Sequence, residues 1–296
     1  MKSLQRWRMI ARPGSGGAGG SAGAGGRGEG SGTDSFCSRH PSASPCAVGF
    51  SCRSVARMEI ATSFGTAAQA YERARPGYPA AAIEWLLPRQ GAIVLDVGAG
   101  TGKLTAQLAR AGHAVRAVDP DPTMLATLAR RLPSVATAVG TAEDLPVDDL
   151  SVDAVTFGQS WHWVDPTLAT QEAARVLRPG GRLGLFWNIR DETVPWVKEL
   201  SGIMHSSAAE RLLTEGMPEI GAPFTALEHA AWEWTATLTI AGLIDLAASR
   251  SDVIAMDPDE RERVLAEVGA LGARVATADG DILMPYRTHA FRALLA

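Results

Sequence analysis

Residues Gly98 to Lys103 read Gly-Ala-Gly-Thr-Gly-Lys and follow directly on the apolar run Ala92-Ile93-Val94-Leu95-Asp96-Val97. Glycines at that spacing let the backbone turn tightly and let a ligand approach the main chain closely. A helix beginning near Lys103 would aim unpaired N–H groups at the same spot. Asp119 stands 21 residues beyond Gly98, at the close of the next apolar run. A carboxylate there can accept both hydroxyls of a ribose, so the two features together point to an adenosine-containing ligand. Three such ligands compete. A phosphate-binding Walker loop needs G-x-x-x-x-G-K-[ST]; Gly102-Lys103 match its end, but Val97 and Leu104 hold two required places. A nicotinamide fingerprint needs G-x-G-x-x-G; Gly98 and Gly100 fit, but the third place is Lys103, which blocks close helix–strand packing. S-adenosylmethionine, with no pyrophosphate to cradle, is the third.

A second set of residues could act on whatever reacts beside that ligand. His162 is the obvious general base, because an unperturbed imidazole titrates near neutrality. Its neighbours Trp161 and Trp163 could wall a dry pocket. The alternative is that His162 hydrogen-bonds a neighbouring loop and the tryptophans are core, since a neutral histidine both donates and accepts. Tyr71, Arg75 and Tyr78 precede the glycine loop and could fold over ligand or substrate. Arg75 could clamp a carboxylate bidentately, or instead pair with Glu72 on a solvated helix end. Tyr286 and Arg287 carry the same two readings. Trp232 and Trp234 read as sheet packing.

Alternating strands and helices must position these groups. Proline at the first turn predicts a short helix over Pro79–Leu87. Ala92–Val97 is the continuous apolar run of a strand buried on both faces. Helices are expected over Lys103–Ala111, Thr123–Leu132 and Thr167–Leu177, and strands over His113–Val118, Val135–Val139, Val152–Phe157 and Arg182–Trp187. Such βα repetition predicts an α/β, Rossmann-like, doubly wound sheet with helices on both faces. Right-handed crossovers then place ligands at the carboxyl ends of the strands. Beyond Trp187 the pattern changes. Helices are expected over Trp196–Leu213, Thr239–Ser249 and Asp257–Ala276, a strand over Phe224–Leu238 and a last strand at Ile282-Leu283-Met284. The expected whole is one mostly parallel, seven-stranded sheet domain whose inserted helices cover the cleft.

Composition narrows the function further. The chain has 296 residues, and its net charge of −4 conceals a split. Eight basic and two acidic residues make residues 1–57 a +6 tail, leaving −10 on residues 58–296. Gly14–Gly32 holds 11 of the 31 glycines, too little apolar surface to offset ordering entropy, so residues 1–57 read as a disordered glycine-rich extension. Ordinary composition begins at Met58, a candidate native start. A negative body argues against a nucleic-acid partner, and the lack of an apolar run of 18 residues argues against a membrane span. Cys37, Cys46 and Cys52 all lie in the tail, so the body has no disulfide or cysteine–zinc framework, and a cytoplasmic setting is expected. No clear carboxylate cluster suggests a metal site.

The segment Val94-Leu95-Asp96-Val97-Gly98-Ala99-Gly100-Thr101-Gly102 resembles the first motif of the class I S-adenosylmethionine-dependent methyltransferases. The resemblance continues in order through Val118–Met124, Gly140–Pro146, Asp153–Phe157 and Arg175–Leu183. It implies S-adenosyl-L-methionine as cofactor. It places Gly98, Ala99, Gly100 and Gly102 against the cofactor's amino-acid part, with Asp96 orienting that loop. It assigns Asp119 to the ribose, Met124 to the adenine face, Ala142 and Glu143 to the adenine edge, and Gln159 to the methionine end. Met124 could equally be core filling and Glu143 a turn cap. Phe64-Gly65, Tyr71–Pro79, Gln159–Asp165, Ser249-Arg250-Ser251 and Pro285-Tyr286-Arg287-Thr288 are similar to a small-molecule subgroup near the trans-aconitate methyltransferase-like proteins. That subgroup implies Tyr71, Arg75, Tyr78, Trp161, Tyr286 and Arg287 around a small-molecule acceptor, in a monomer or homodimer. Methyl transfer to oxygen or nitrogen is an in-line displacement in which protein mainly aligns and excludes water, and a base helps only if the nucleophile must lose a proton. The alternatives are a nicotinamide-dependent oxidoreductase and a non-catalytic protein that keeps the cofactor pocket.

Overall fold

The computed structural model describes residues 75–87, 89–204 and 216–296. The glycine-rich tail, Met58, Tyr71 and the second half of the helix expected over Trp196–Leu213 lie outside the described residues. The strands are β1 (Ile93–Val97), β2 (Ala114–Asp119), β3 (Ala136–Val139), β4 (Val152–Gly158), β5 (Leu177–Arg190), β6 (Glu228–Leu238) and β7 (Ile282–Leu294). The helices are α1 (Ala80–Leu86), α2 (Lys103–Arg110), α3 (Pro122–Arg131), α4 (Pro166–Val176), α5 (Pro195–Met204), α6 (Ile240–Ala248), α7 (Ser251–Ile254) and α8 (Pro258–Val275).

The seven strands form one sheet in the order β3-β2-β1-β4-β5-β7-β6. β1 to β5 run parallel, and β7 is antiparallel to both β5 and β6. The strand order reverses at β1, between β2 and β4. That is where an open α/β sheet leaves a crevice at its carboxyl edge.

Both faces are covered, which is why the parallel strands read as unbroken apolar runs. On one face Leu95, Val155, Leu183, Leu185 and Trp187 pack with Ala169, Ala173 and Val176 of α4. On the other, Val94, Ala154 and Phe186 pack with Ile83 and Leu86 of α1 and Leu104 and Leu108 of α2. Each such side chain contributes about 2 kcal/mol of burial before its entropy is charged. A third cluster joins α5, α6 and α8 to Ile282, Met284 and Tyr286 at the start of β7, and this is the helical cover. Three helices begin at the same signal. Asp121-Pro122, Asp165-Pro166 and Asp257-Pro258 supply an aspartate cap followed by proline, and each aspartate accepts backbone N–H groups of its own first turn.

Several expected boundaries move. β7 extends ten residues past the expected Ile282-Leu283-Met284, because the alternation continues through Tyr286, Thr288 and Ala290 despite Pro285. Pro285 is tolerated because β5's ladder ends with Arg190 opposite Tyr286, so no β5 bond needs its missing N–H. β5 likewise runs beyond Trp187 to Arg190, and β6 starts at Glu228 rather than Phe224. Phe224 makes an isolated bridge to Leu295 instead.

Candidate cofactor and substrate cleft

β1 delivers the glycine loop to the carboxyl edge of the sheet, and each of its three glycines answers a separate demand. Gly98 has φ +66°, and a Cβ on it would lie 2.5 Å from Cβ of Ser160. Ser160 is buried and donates to the Val97 carbonyl (2.8 Å), so the loops after β1 and β4 are pressed together there. Gly102, at φ +87°, caps α2, where a Cβ would strike Leu128 of α3 at 2.8 Å. Gly100 has φ +55° but faces open space, and a Cβ there would meet none of the described residues within 4 Å. That space is a cleft lined by Arg75, Pro76, Tyr78, Asp96, Gly98, Ala99, Gly100, Lys103, Leu104, Gly158 and Gln159.

Two buried carboxyls stand behind the loop. Asp96 accepts hydrogen bonds from Thr105 of α2 (2.6 Å) and Thr156 of β4 (3.1 Å), bracing three elements at one point. Burial pushes its carboxyl up to about 7, against the lowering effect of the two hydroxyls. Asp119, at the end of β2, accepts the Gly100 N–H (2.8 Å) on one oxygen and the Asp121 N–H (2.9 Å) on the other. Burial again dominates and pushes it up to about 6. Each Asp119 oxygen keeps further acceptor capacity. Asp121 caps α3 through Oδ1, while its Oδ2 is buried with no hydrogen-bond partner among the described residues. A buried acceptor left unmet costs free energy unless a donor arrives. Neither the Asp119 nor the Asp121 carboxyl is among the lining residues of the cleft; Asp119 reaches it through the Gly100 N–H, and the open face of Gly100 suits a group lying on the loop. The residues fit a nucleoside with an amino-acid arm.

Other expected residues fall in three places. Arg75, Tyr78 and Gln159 line the cleft with Asp96, Gly98, Ala99 and Gly100. Gln159 has φ +58°, a left-handed backbone unusual for a residue with a side chain and common where function holds the chain. Met124 and Ala142 are buried close to the β2 and β3 ends, and Ala142 packs with Leu145 and Val147 in the core. Glu143 accepts the N–H of Asp165 (2.8 Å), tying its loop to the start of α4.

Asp119, Met124, Ala142 and Glu143 are not among the lining residues, and neither are Trp161, His162, Tyr286 and Arg287. Trp161 is buried edge-on against Phe157, with ring centres 4.8 Å apart, and belongs to the core beside α4. His162 accepts at Nδ1 from the indole N–H of Trp187 (3.3 Å) and is not among the residues lining the cleft. Tyr286 is buried and stacks on Trp234 at 5.2 Å, under the helical cover. Arg287 points to the opposite face of β7 and pairs with Glu233 of β6. Neither is among the residues lining the cleft.

The structure also shows residues to which the sequence alone gives no role. Asp121 has no separate role in the sequence reading beyond the Val118–Met124 stretch, although an aspartate before proline is a helix-cap signal. Ser160 carries no local signal, because its task is set by Gly98 across the sheet. Ser249 accepts from Nε of Arg75 at its hydroxyl (3.2 Å) and from Nη2 at its carbonyl (3.3 Å). Those residues are 174 positions apart in the chain. Among the described residues no three His, Cys, Asp or Glu side chains gather as a metal site requires.

Comparison with known proteins bears on the family and the fold. A family model described as a methyltransferase domain matches residues 95–185. An uncharacterized methyltransferase of Mycobacterium bovis is 49% identical over 243 residues, covering 81% of this chain and 98% of that protein. A methyltransferase-like protein of Schizosaccharomyces pombe is 36% identical over 242 residues, covering 77% of this chain and 94% of that one. A solved structure from Anaeromyxobacter dehalogenans, assigned as a type II methyltransferase, superposes with a TM-score of 0.54 at 27% identity. It covers 74% of this chain and 97% of that one.

Proposed function

This chain belongs to the class I S-adenosylmethionine-dependent methyltransferases, and we propose that its acceptor is a small molecule methylated on oxygen or nitrogen. The observation that carries the proposal is the cleft itself. Arg75, Pro76 and Tyr78 line it together with the glycine loop. A concave site with a few convergent polar groups suits a small ligand. The further likeness of Tyr71–Pro79, Gln159–Asp165 and Ser249-Arg250-Ser251 to a trans-aconitate methyltransferase-like subgroup supports the same acceptor class. The cysteine-free body suits a reducing cytoplasm.

Bound in this cleft, S-adenosylmethionine supplies an already activated methyl group. The chain's own residues then bind and align. Asp119 would accept from the ribose hydroxyls, and the loop Gly98–Gly102 would support the amino-acid arm. Gln159, held in its strained conformation, faces the methionine end. Tyr78 and Pro76 exclude water, and Arg75 offers a cation to an acidic acceptor. A base is needed only where the acceptor must lose a proton, as a hydroxyl must and a carboxylate or an unprotonated amine need not.

A screen of metabolite extracts with S-adenosylmethionine radiolabelled in its methyl group tests this reading. Label is expected in a low-mass product, which mass spectrometry then identifies. Label in protein or nucleic acid contradicts the acceptor class, and binding of cofactor without any transfer contradicts the activity.

A further inference from the structure

We propose that Asn188 is a positioning residue of the cofactor cleft. It fixes the carbonyl of Gly77 and so holds the wall formed by Arg75, Pro76 and Tyr78 against the glycine loop. Asn188 does not line the cleft; it lies on β5, directly opposite Thr288 of β7. Its Nδ2 donates to the Gly77 carbonyl (2.9 Å), across 111 positions of sequence.

The orientation of that amide is dictated from the edge of the sheet. The indole N–H of Trp234 on β6 donates to Oγ1 of Thr288 (2.8 Å). An indole can only donate, so the Thr288 oxygen accepts and its single hydrogen is left for another partner. That hydrogen goes to Oδ1 of Asn188 (2.6 Å). With Oδ1 accepting, the NH₂ end of Asn188 must face Gly77. Thr288 is fully buried and Asn188 nearly so. The donor direction is therefore one-way from Trp234 to Gly77, and each step is strengthened by low local polarity.

The segment at the end of this relay has little freedom to rest elsewhere. A Cβ on Gly77 would lie 2.7 Å from the side chain of Gln107 on α2, so Gly77 passes between β5 and α2. Tyr78 sits edge-on to Phe186 of β5 at 5.7 Å, and its hydroxyl would be 3.0 Å from a Cβ on Gly158. Arg75 is tied to Ser249 after α6. The cleft wall is thus hung between the sheet, through Asn188, and the helical cover, through Ser249. Loss of the Asn188 bond would remove the one polar tie between Gly77 and the sheet among the described residues, leaving the packing of Tyr78 on Phe186, and the cost would appear as weaker ligand binding.

The inference rests on the cleft being an S-adenosylmethionine site, and calorimetric titration with S-adenosylhomocysteine separates the two. The proteins compared are the full chain and its Thr288→Val, Thr288→Ser, Asn188→Asp and Trp234→Phe variants, each at a temperature where circular dichroism shows it folded. Thr288→Ser keeps the hydroxyl and is expected to bind within about twofold of the unmodified chain. Thr288→Val and Asn188→Asp are expected to bind roughly tenfold or more weakly, the scale of one buried hydrogen bond. Trp234→Phe, which frees the Thr288 rotor, is expected to fall between. If Asn188→Asp does not fold, Thr288→Val against Thr288→Ser decides. Lowered melting temperatures with unchanged affinity in Thr288→Val would overturn the proposal in favour of simple core satisfaction. Failure of the unmodified chain to bind would overturn the cofactor site instead.

Discussion

Burial pushes the Asp119 carboxyl up to about 6, and ribose hydroxyls donate best to the ionised form. Affinity for S-adenosylhomocysteine is therefore expected to fall about tenfold between pH 7.5 and pH 5 as Asp119 takes up a proton. A flat calorimetric profile over that range would remove Asp119 from the ribose. Asp119→Ala, measured at pH 7.5, is expected to weaken binding at least roughly tenfold through loss of charged acceptors. Asp96 acts on stability instead. Its folded value, about 7, lies above the ordinary 3.8, so its contribution is fully present only below 3.8 and is lost as pH rises through about 7. Asp96→Asn is thus expected to stabilise the ligand-free protein at pH 8, by a margin that shrinks by roughly 2 kcal/mol at pH 5.5. Urea titrations at the two pH values check this, and a pH-independent margin contradicts it. Asp96 and Asp119 were legible in the sequence because each ends or punctuates an apolar run. Asp121 was not, because its second oxygen matters only once the cap uses the first. The bond from Trp187 to His162 was not legible either, because Trp187 reaches it from another strand.

The loops after β1 and β4 touch through one glycine and one serine. Gly98→Ala would force a Cβ to within 2.5 Å of Ser160 and hold alanine at φ +66°. The two strains together are expected to destabilise the protein by about 2 kcal/mol or more, with loss of cofactor binding. Adding Ser160→Gly removes the clash but not the backbone strain, so the double variant is expected to regain part of the melting temperature. Full recovery would show that the left-handed backbone at Gly98 costs nothing. The parallel strands were legible because burial on both faces makes them continuous apolar runs. β7 was legible only at its start, since Pro285, Arg287 and His289 break the apolar impression of a strand that is buried on one side. The helical cover could be read as helices, but not as the anchor of Arg75. That contact depends on the chain returning to the cleft at Ser249, which no local pattern encodes.

The whole chain combines a body of charge −10 with a tail of charge +6, and the cleft lining among the described residues runs from Arg75 to Gln159. Among the described residues no helix is long and apolar enough to cross a membrane. With the lining supplied by the body, a chain lacking residues 1–57 is expected to bind S-adenosylhomocysteine within about twofold of the full chain, one buried hydrogen bond being worth roughly tenfold. A larger loss would give the tail a part in the site. The central claim is that the loop Gly98–Gly102 and Asp119 hold S-adenosylmethionine, and not a dinucleotide, at the strand-order reversal. Parallel calorimetric titrations of the full chain with S-adenosylhomocysteine and with NAD test it most directly. One-to-one micromolar binding of S-adenosylhomocysteine with no heat from NAD is the expected result; binding of NAD without S-adenosylhomocysteine would contradict it.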